Sequence, residues 1–299
     1  MKMVECVPNF SEGRRPDVIE AIVDAARSIP GVQVLDVQSD ADHNRSVVSM
    51  LGPPRAVSEA AYQATAEAAR RIDMAHHQGG HPRMGATDVV PFIPVRGLTM
   101  EECVALAREL GRRVGEELGI PVYLYEAAAT RPDRQNLADV RRGEYEALKR
   151  AIETDPDRAP DYGPARIGSA GATAIGARPA LVAFNVYLTT DRLEVAQAVA
   201  RAVRHSSGGL RFVKALGLLV EGRAQVSMNL TDVSRTPMHR VLELIRAEAA
   251  RYGVAVADSE VIGLLPQRAL VDAAVHYLQL AGFSPDQVLE NWLMAEEDA

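Results

Sequence analysis

The chain has 299 residues, which is enough for two domains that each bury a core of their own. Hydrophobic residues make up 47% and charged residues 24% of it, a balance typical of folded globular proteins that excludes an intrinsically disordered chain. The 40 acidic side chains outnumber the 33 basic ones, and the net charge of −7 argues against a nucleic-acid partner.

The cellular location is predicted from cysteine content and hydropathy. Two cysteines are too few for a disulfide framework, so a reducing compartment is expected. Glu5 interrupts the apolar N-terminus before it reaches the length of a signal peptide, and no apolar run approaches the ~18 residues of a membrane-spanning helix. We therefore expect a cytoplasmic protein without a membrane partner.

The first half of the chain predicts strands and helices in alternation. Apolar, β-branched runs predict strands over residues 4–10, 32–37, 46–51, 89–95 and 121–125. Apolar residues at helical spacing predict helices over residues 16–29, 56–73 and 99–118. Thr99 and Glu102 form a capping box that begins the third helix. Because proline donates no backbone hydrogen bond, Pro91 and Pro94 predict that their strand is short or lies at a sheet edge.

Residues 130–176 are rich in proline, aspartate, arginine and glycine, and only residues 143–152 look helical, so this segment is expected to connect two domains. Strand and helix patterns then return in the order of the first half. Strands are predicted over residues 181–188, 213–220, 225–232 and 254–256. Helices are predicted over residues 191–205, from an N-cap at Thr236 with Pro237 in the first turn, and after Pro266.

The repeated order of elements predicts the fold class, which is α/β (α+β). We expect two ferredoxin-like βαββαβ subdomains, residues 1–178 and 179–299, with mixed or antiparallel sheets packed side by side. A groove between two such halves is a common place for a ligand.

Residues 76–88 hold the densest group of polar side chains, including three of the seven histidines. Two glycines precede His81 and a proline follows it, so its imidazole is expected on an irregular loop. Imidazole transfers protons near neutral pH, and Asp88 or Glu5 can orient it if the fold brings them near. A solvated turn fits the same residues. A metal site is disfavoured, because the glycines prevent the helix that would put His77 and His81 on one face.

A second glycine-rich stretch, residues 163–176, precedes the strand at Leu181 and matches neither of the common nucleotide phosphate-binding motifs. Its small residues would let backbone groups hydrogen-bond a flat heterocycle, and a flexible linker fits equally well.

Lys214 interrupts an apolar strand and points either into a cleft or to solvent. The arginines near these segments either pair with carboxylates of an acidic substrate or are ordinary surface charges: Arg45, Arg83, Arg166 and Arg178.

The sequence resembles the formiminotransferase family in three strings: VECVPNFSEG (4–13), HPRMGATDVVPFIPV (81–95) and RRGEYEAL (141–148). The resemblance extends over nearly the whole chain. It implies transfer of the formimino group of N-formimino-L-glutamate to N5 of the co-substrate tetrahydrofolate, with release of L-glutamate, as in histidine degradation and one-carbon metabolism. It also implies a homodimer of two-lobed protomers with folate between the lobes, and no metal is expected.

The resemblance assigns site residues by position. The histidine that begins the family's HPRMG string is catalytic, which implies that His81 acts as general acid and base. The family's folate-binding segment corresponds to Gly163, Pro164, Ala165, Arg166, Ile167, Gly168, Ser169, Ala170 and Gly171. The residues expected in the substrate pocket are Asn9, Asn44, Arg45, Arg83, Asp88 and Lys214.

Two alternatives remain open at this point. A related folate-dependent transferase would take formylglutamate or formiminoglycine as its donor, and a folate-binding protein would have no catalytic activity. The animal enzyme of this family continues into a cyclodeaminase domain, whereas this chain ends at Ala299. A cyclodeaminase partner is therefore expected to be a separate protein.

Overall fold

A computed structural model of the chain describes residues 1–296, with the side chains of residues 1–292. The described residues form two compact units, one over Met1–Arg178 and one that begins at Pro179. Each unit has a hydrophobic core of its own and a sheet of its own. The prediction of a mixed α/β fold with two sheets is confirmed. No helix among the described residues is both long and apolar enough to cross a membrane.

The first unit contains a mixed sheet of seven strands with helices packed on it. Its strands are β1 (Met3–Cys6), β2 (Asn9–Phe10), β3 (Gln33–Asp40), β4 (Arg45–Gly52), β5 (Thr87–Arg96), β6 (Val122–Glu126) and β7 (Thr173–Ala177). Its helices are α1 (Pro16–Arg27), α2 (Pro54–Arg71), α3 (Met100–Glu117), α4 (Leu137–Val140) and α5 (Glu144–Ala151). The predicted capping box of Thr99 and Glu102 is confirmed at the start of α3.

Strands β1 and β2 form one line in this sheet, interrupted at Val7 and Pro8. Both pair antiparallel with β4 on one side and with β5 on the other, and β3 pairs with the far edge of β4. Strand β7 then pairs parallel with β5, and β6 pairs parallel with β7. The unit is therefore a βαββαβ arrangement extended by two parallel strands.

The prediction that the prolines make β5 short or peripheral is wrong, because β5 is a ten-residue strand with neighbours on both sides. The reason is the break in the neighbouring strand. Val7 N donates to Pro91 O at 3.4 Å, and Pro91 has no N–H to return. The Asn9 side-chain amide donates to Val7 O at 2.9 Å instead, so the carbonyl group opposite the proline is satisfied.

The prediction that residues 130–176 connect two domains is also wrong, because this segment folds into the first unit and supplies β7 to the middle of its sheet. Its many charged residues serve to join loops to the sheet. Asp161 accepts Leu124 N at 2.8 Å and an Arg134 guanidinium N–H at 2.5 Å, and both charged side chains are buried. A buried ion pair thus anchors to the sheet a segment whose polar composition predicted an exposed connection.

The second unit contains a four-stranded antiparallel sheet in the order β11-β8-β10-β9. Its elements are β8 (Val182–Leu188), α6 (Leu193–Val203), β9 (Val213–Val220), β10 (Arg223–Leu230), α7 (Met238–Ala250), β11 (Val256–Ile262), α8 (Gln267–Tyr277) and α9 (Leu289–Glu296). The first six elements follow the ferredoxin-like βαββαβ order. Thr236 is not the N-cap that we expected: Pro237 takes that position, and the Thr236 hydroxyl donates to Arg211 O at 2.7 Å.

Candidate active site

A pocket with about 180 Å³ of empty space lies in the first unit, where the turn between β3 and β4 meets the histidine-rich loop before β5. Polar and charged side chains form most of its wall. The lining residues are Phe10, Ser11, His43, Asn44, Arg45, His77, His81, Arg83 and Asp88. Five of the seven residues predicted for catalysis and substrate binding are therefore in one place: Asn44, Arg45, His81, Arg83 and Asp88.

Glycine lets the two loops approach each other closely. A Cβ atom at Gly79 would lie 2.3 Å from His43 O, so no other residue fits there without a shift of the backbone. Gly80 N donates to Asp42 O at 3.2 Å. The glycines that precede His81 therefore also hold the β3–β4 turn against the histidine loop, and His43 on that turn lies beside the His81 side chain.

His77 lines the pocket, but both of its ring nitrogens are used by the protein. The Arg83 Nε–H donates to His77 Nδ1 at 3.3 Å, and His77 Nε2 lies 3.1 Å from Asn44 O. Since Nδ1 accepts a hydrogen bond, Nε2 carries the proton and the ring is neutral. His77 therefore holds the two loops together and has no ring nitrogen left for a substrate.

His81 is neutral at physiological pH. Burial lowers its pKa to about 3, with further lowering by the nearby positive charges of Arg45, Arg141 and His43, and the Pro82 carbonyl opposes the shift. Within residues 1–292, no carboxylate forms an ion pair with the ring. The neutral ring is in the form that accepts a proton, but the surrounding cations make it a weak base unless an anion offsets their charge.

Asp88 closes the histidine loop and does not orient His81. One of its carboxylate oxygens accepts Met84 N at 2.8 Å, and the other accepts the Arg141 guanidinium. Asp88 is only 3% exposed, so its charge is matched by that arginine inside the protein. Arg141 Nε is buried without a hydrogen-bond partner in the described part of the chain. Glu5, the other carboxylate that we considered for His81, does not line the pocket.

Arg45 is a largely buried cation without a carboxylate partner among the described side chains. Its guanidinium donates from Nε to Asn9 Oδ1 at 2.9 Å and from a second nitrogen to the same oxygen, and Asn9 is in turn held by Val7 O. Burial lowers the pKa of Arg45 to about 10, and the charge of Arg141 adds to that effect. A cation whose only bonded neighbour is neutral is a natural site for an anion.

Two other residues predicted for the substrate pocket are used within the protein. The Arg83 guanidinium donates to Glu144 at 2.7 Å and to both oxygens of Glu146 at 2.6 and 3.0 Å. The Asn44 side chain accepts Gly13 N and donates to Gln78 O, each at 2.9 Å. Both residues build the pocket wall. Lys214 lies on β9 of the second unit, where it is exposed.

The predicted folate segment lies beside the histidine loop. Met74 N donates to Ser169 O and Ala86 N to Ala170 O, each at 2.8 Å, and Gly171 forms a β-bridge with Gly85. A Cβ atom at Gly171 would lie 2.4 Å from the Met84 carbonyl oxygen, and its φ of +73° favours glycine. The segment is therefore an ordered part of the first unit and not a free linker.

The sequence did not single out Arg141 and His43 as site residues. Arg141 begins the RRGEYEAL string, which carried the family resemblance, so its position was a signal that we did not use. His43 has no such signal, because its place beside His81 depends on the β3–β4 turn meeting a loop nearly 40 residues away. No group of three His, Cys, Asp or Glu side chains suited to a metal ion occurs in the described residues.

The chain matches two family models. The model described as the formiminotransferase domain, N-terminal subdomain, matches residues 3–178, and the model described as the formiminotransferase domain matches residues 183–287. Proteins named glutamate formimidoyltransferase from Streptococcus pyogenes and Thermoplasma acidophilum are each 50% identical to it, over 98% and 97% of this chain and 99% and 97% of theirs. The formimidoyltransferase-cyclodeaminase of Mus musculus is 45% identical over 92% of this chain and 52% of its own. The chain belongs to the formiminotransferase family.

Proposed function

We propose that this chain transfers the formimino group of N-formimino-L-glutamate to N5 of tetrahydrofolate and releases L-glutamate, and that His81 moves the proton. The name shared by the two relatives that are 50% identical along nearly their whole length supports the reaction. The site observation that carries the proposal is the neutral imidazole of His81 beside Arg45, a cation without a carboxylate partner in the described structure.

The reaction requires a proton to leave the accepting nitrogen and a proton to reach the departing glutamate nitrogen. Tetrahydrofolate supplies the accepting amine when it is bound. The neutral His81 ring takes the first proton once a bound donor carboxylate offsets the charge of the arginines that lower its pKa. The simplest sequence uses the same imidazole to return that proton to the departing nitrogen. A positioned acid–base group of this kind contributes roughly 10²- to 10⁴-fold to the rate.

The cations of the pocket fit an anionic donor. Formiminoglutamate carries carboxylates, and the Arg45 guanidinium can bind one of them with charge-assisted hydrogen bonds. The unpartnered Nε–H of Arg141 is a second donor near the same pocket. Because both arginines lower the pKa of His81, a bound carboxylate that offsets their charge raises that pKa and helps the imidazole hold the proton it has accepted.

The segment from Gly163 to Gly171 fits the co-substrate through its backbone. Ala165, Arg166, Gly168 and Ser169 are exposed, and no heavy atom lies within 4 Å of a Cβ position at Gly168. The carbonyls of Gly168, Ser169 and Ala170 accept hydrogen bonds within the protein, so the backbone N–H groups of the segment are the better candidates to hydrogen-bond a flat heterocycle. We propose that these residues bind tetrahydrofolate, and that Lys214 of the second unit contributes to substrate binding.

Initial rates with three donors test the proposed reaction. Purified protein is mixed with tetrahydrofolate and formiminoglutamate, formylglutamate or formiminoglycine, and release of the free amino acid is measured together with formation of the substituted folate. We expect the highest kcat/KM with formiminoglutamate. Faster turnover of another donor would identify a related transferase. Tight tetrahydrofolate binding in calorimetry without turnover of any donor would identify a folate-binding protein.

We also propose that the protein is a cytoplasmic homodimer of chains with two formiminotransferase subdomains, residues 1–178 and 179–299, and that it binds small molecules rather than nucleic acid or membranes. Because the two relatives named glutamate formimidoyltransferase are matched over nearly their whole length, a cyclodeaminase, where one exists, is proposed as a separate partner. Light scattering during size-exclusion chromatography tests the dimer directly. A mass near the 32.3 kDa of one chain would contradict it.

A further inference from the structure

A second histidine, His43, lies beside His81 in the wall of the same pocket. The ring centroids of His43 and His81 are 6.3 Å apart, with an interplanar angle of 70°. Both rings line the same pocket, together with His77. The ring nitrogens of His77 are used by Arg83 and Asn44, so His43 and His81 are the two pocket histidines with a ring nitrogen open to a substrate.

Asp40 holds the His43 ring in one orientation. One carboxylate oxygen of Asp40 accepts the His43 backbone N–H at 2.8 Å, and the other lies 2.8 Å from His43 Nδ1. Although burial raises the pKa of Asp40, the hydrogen bonds from His43 lower it below its usual value. A carboxylate at Nδ1 fixes the orientation of the ring and leaves Nε2 as the nitrogen open to a substrate, as in an Asp–His pair of a hydrolase. Across residues 1–292, no protein atom bonds Nε2 of His43.

The two histidines have different electrostatic surroundings. His81 is half-buried beside arginines, and its ring is neutral at neutral pH. His43 is about half exposed, and its Nδ1 lies beside the carboxylate of Asp40. One ring beside cations and a second ring beside a carboxylate are suited to the roles of base and acid in one reaction.

We propose that His43, held by Asp40, is the general acid that protonates the departing nitrogen of the donor, while His81 is the general base. This assignment rests on the proposed transferase function. It assigns to two rings the two proton transfers that a single imidazole would otherwise perform one after the other. It makes the Asp40–His43 turn part of the catalytic machinery, with Asp40 as a positioning residue.

The proton and bond balance closes without any other reactant. A bond forms between the accepting nitrogen and the transferred carbon, and the bond from that carbon to the glutamate nitrogen breaks. His81 Nε2 or Nδ1 receives the proton that the accepting nitrogen loses. His43 Nε2 gives its proton to the departing nitrogen. After product release, His81 returns its proton to solvent and His43 takes one up.

Replacement of His43 in the full-length chain tests the proposal. The matched control is His76→Gln, because the His76 side chain is 86% exposed on the histidine loop and does not line the pocket. We expect His43→Gln to lower kcat by roughly 10²-fold and to leave both KM values within about threefold, as for the loss of a group that acts only in the transition state. The control should keep the wild-type kcat.

The Asp40→Asn variant provides a readout that a purely structural role would not change. An amide at position 40 cannot balance a positive charge on the neighbouring ring as a carboxylate does. If the reaction needs the protonated ring, the alkaline limb of the kcat profile therefore moves to lower pH in this variant. The charged and titratable groups that share the pocket with His43 and are kept in this variant are Arg45, His77, His81, Arg83 and Asp88. Asp42 precedes His43 in the chain, and Arg14 donates to the Ala41 carbonyl of the same turn. Far-UV circular dichroism checks that each variant is folded.

The outcomes separate this proposal from the transferase function itself. If the wild-type chain transfers no formimino group, the proposed function fails. If it does, and His43→Gln keeps kcat within about threefold or changes only a KM, the acid role is wrong while the function stands. If His43→Gln does not fold, an unshifted alkaline limb in Asp40→Asn overturns the proposal.

Discussion

Replacement of Arg45 by methionine should weaken binding of the anionic donor without unfolding the protein. Methionine keeps an unbranched stem of similar length and removes only the charged head. The Arg45 guanidinium has the amide oxygen of Asn9 as its hydrogen-bond partner in the described structure, so the substitution leaves no protein carboxylate buried and unpaired. The buried Asn9 Oδ1 loses its donor, so a loss of about 1–3 kcal/mol in the free energy of unfolding accompanies the loss of donor binding.

The size of the effect follows from the bond that is lost. A hydrogen bond to a charged group contributes about 1.5–3 kcal/mol to binding. Since each 1.4 kcal/mol changes a binding constant by a factor of ten, the KM for formiminoglutamate should rise roughly 10- to 150-fold. The KM for tetrahydrofolate should stay within about threefold, because only the donor is assigned to this arginine. Steady-state rates with each substrate varied in turn measure both constants.

The same substitution should also move the pH profile. After burial, the charge of Arg45 is the leading cause of the low pKa of His81, so its removal raises that pKa. Since His81 must be neutral to accept a proton, the acid limb of kcat/KM then moves to higher pH. Arg55→Met, which removes an exposed charge from α2, should change neither quantity. An unchanged donor KM together with an unmoved acid limb in Arg45→Met would refute the assignment.

Three further outcomes follow from the structure. Gly171→Ala should destabilise the protein by at least about 1–2 kcal/mol in urea unfolding, because its φ is positive and the new Cβ would meet the Met84 carbonyl, and an unchanged midpoint would contradict this. Thr99→Ala should cost about 1 kcal/mol, since it removes the hydroxyl that caps α3 at Glu102 N; an equal loss in the exposed control Arg108→Met would speak against the cap. The pKa of His81 is about 3 in the folded protein and near 6.5 in the unfolded chain, so between these two pH values the unfolded chain binds a proton that the folded protein does not. The free energy of unfolding should therefore fall between pH 7 and 5, and by less in His81→Gln, which urea titrations at both pH values can measure.

The order of elements was predictable because it depends on local periodicity. The α1 and α3 helices have one apolar face, and the strand patterns of the second half are regular, so both βαββαβ series could be read along the chain. Pro91 misled the prediction for β5. Its missing N–H falls opposite a break in the neighbouring strand, and that pairing is a contact between residues over 80 positions apart.

The choice among similar side chains in the site could not be predicted, because it depends on partners from distant segments. His77 and His81 lie four residues apart on one loop, yet Arg83 and the Asn44 carbonyl occupy both ring nitrogens of the first. Arg83 and Arg45 looked equivalent as anion binders, yet two glutamates on α5 neutralise Arg83 and none reaches Arg45 within the described side chains. Which ring nitrogen carries the proton, and whether an arginine has a carboxylate partner, therefore depend on the tertiary structure.

A single-turnover measurement on His81→Gln tests the central claim most directly, since glutamine keeps hydrogen-bonding capacity but cannot take up a proton. Enzyme in excess is mixed with formiminoglutamate at saturating tetrahydrofolate, and the rate of glutamate release is compared with that of the wild type. The account predicts a rate lower by roughly 10²- to 10⁴-fold, with the dissociation constants of both substrates within about threefold of the wild-type values. A single-turnover rate within about threefold of the wild type would show that His81 does not move the proton.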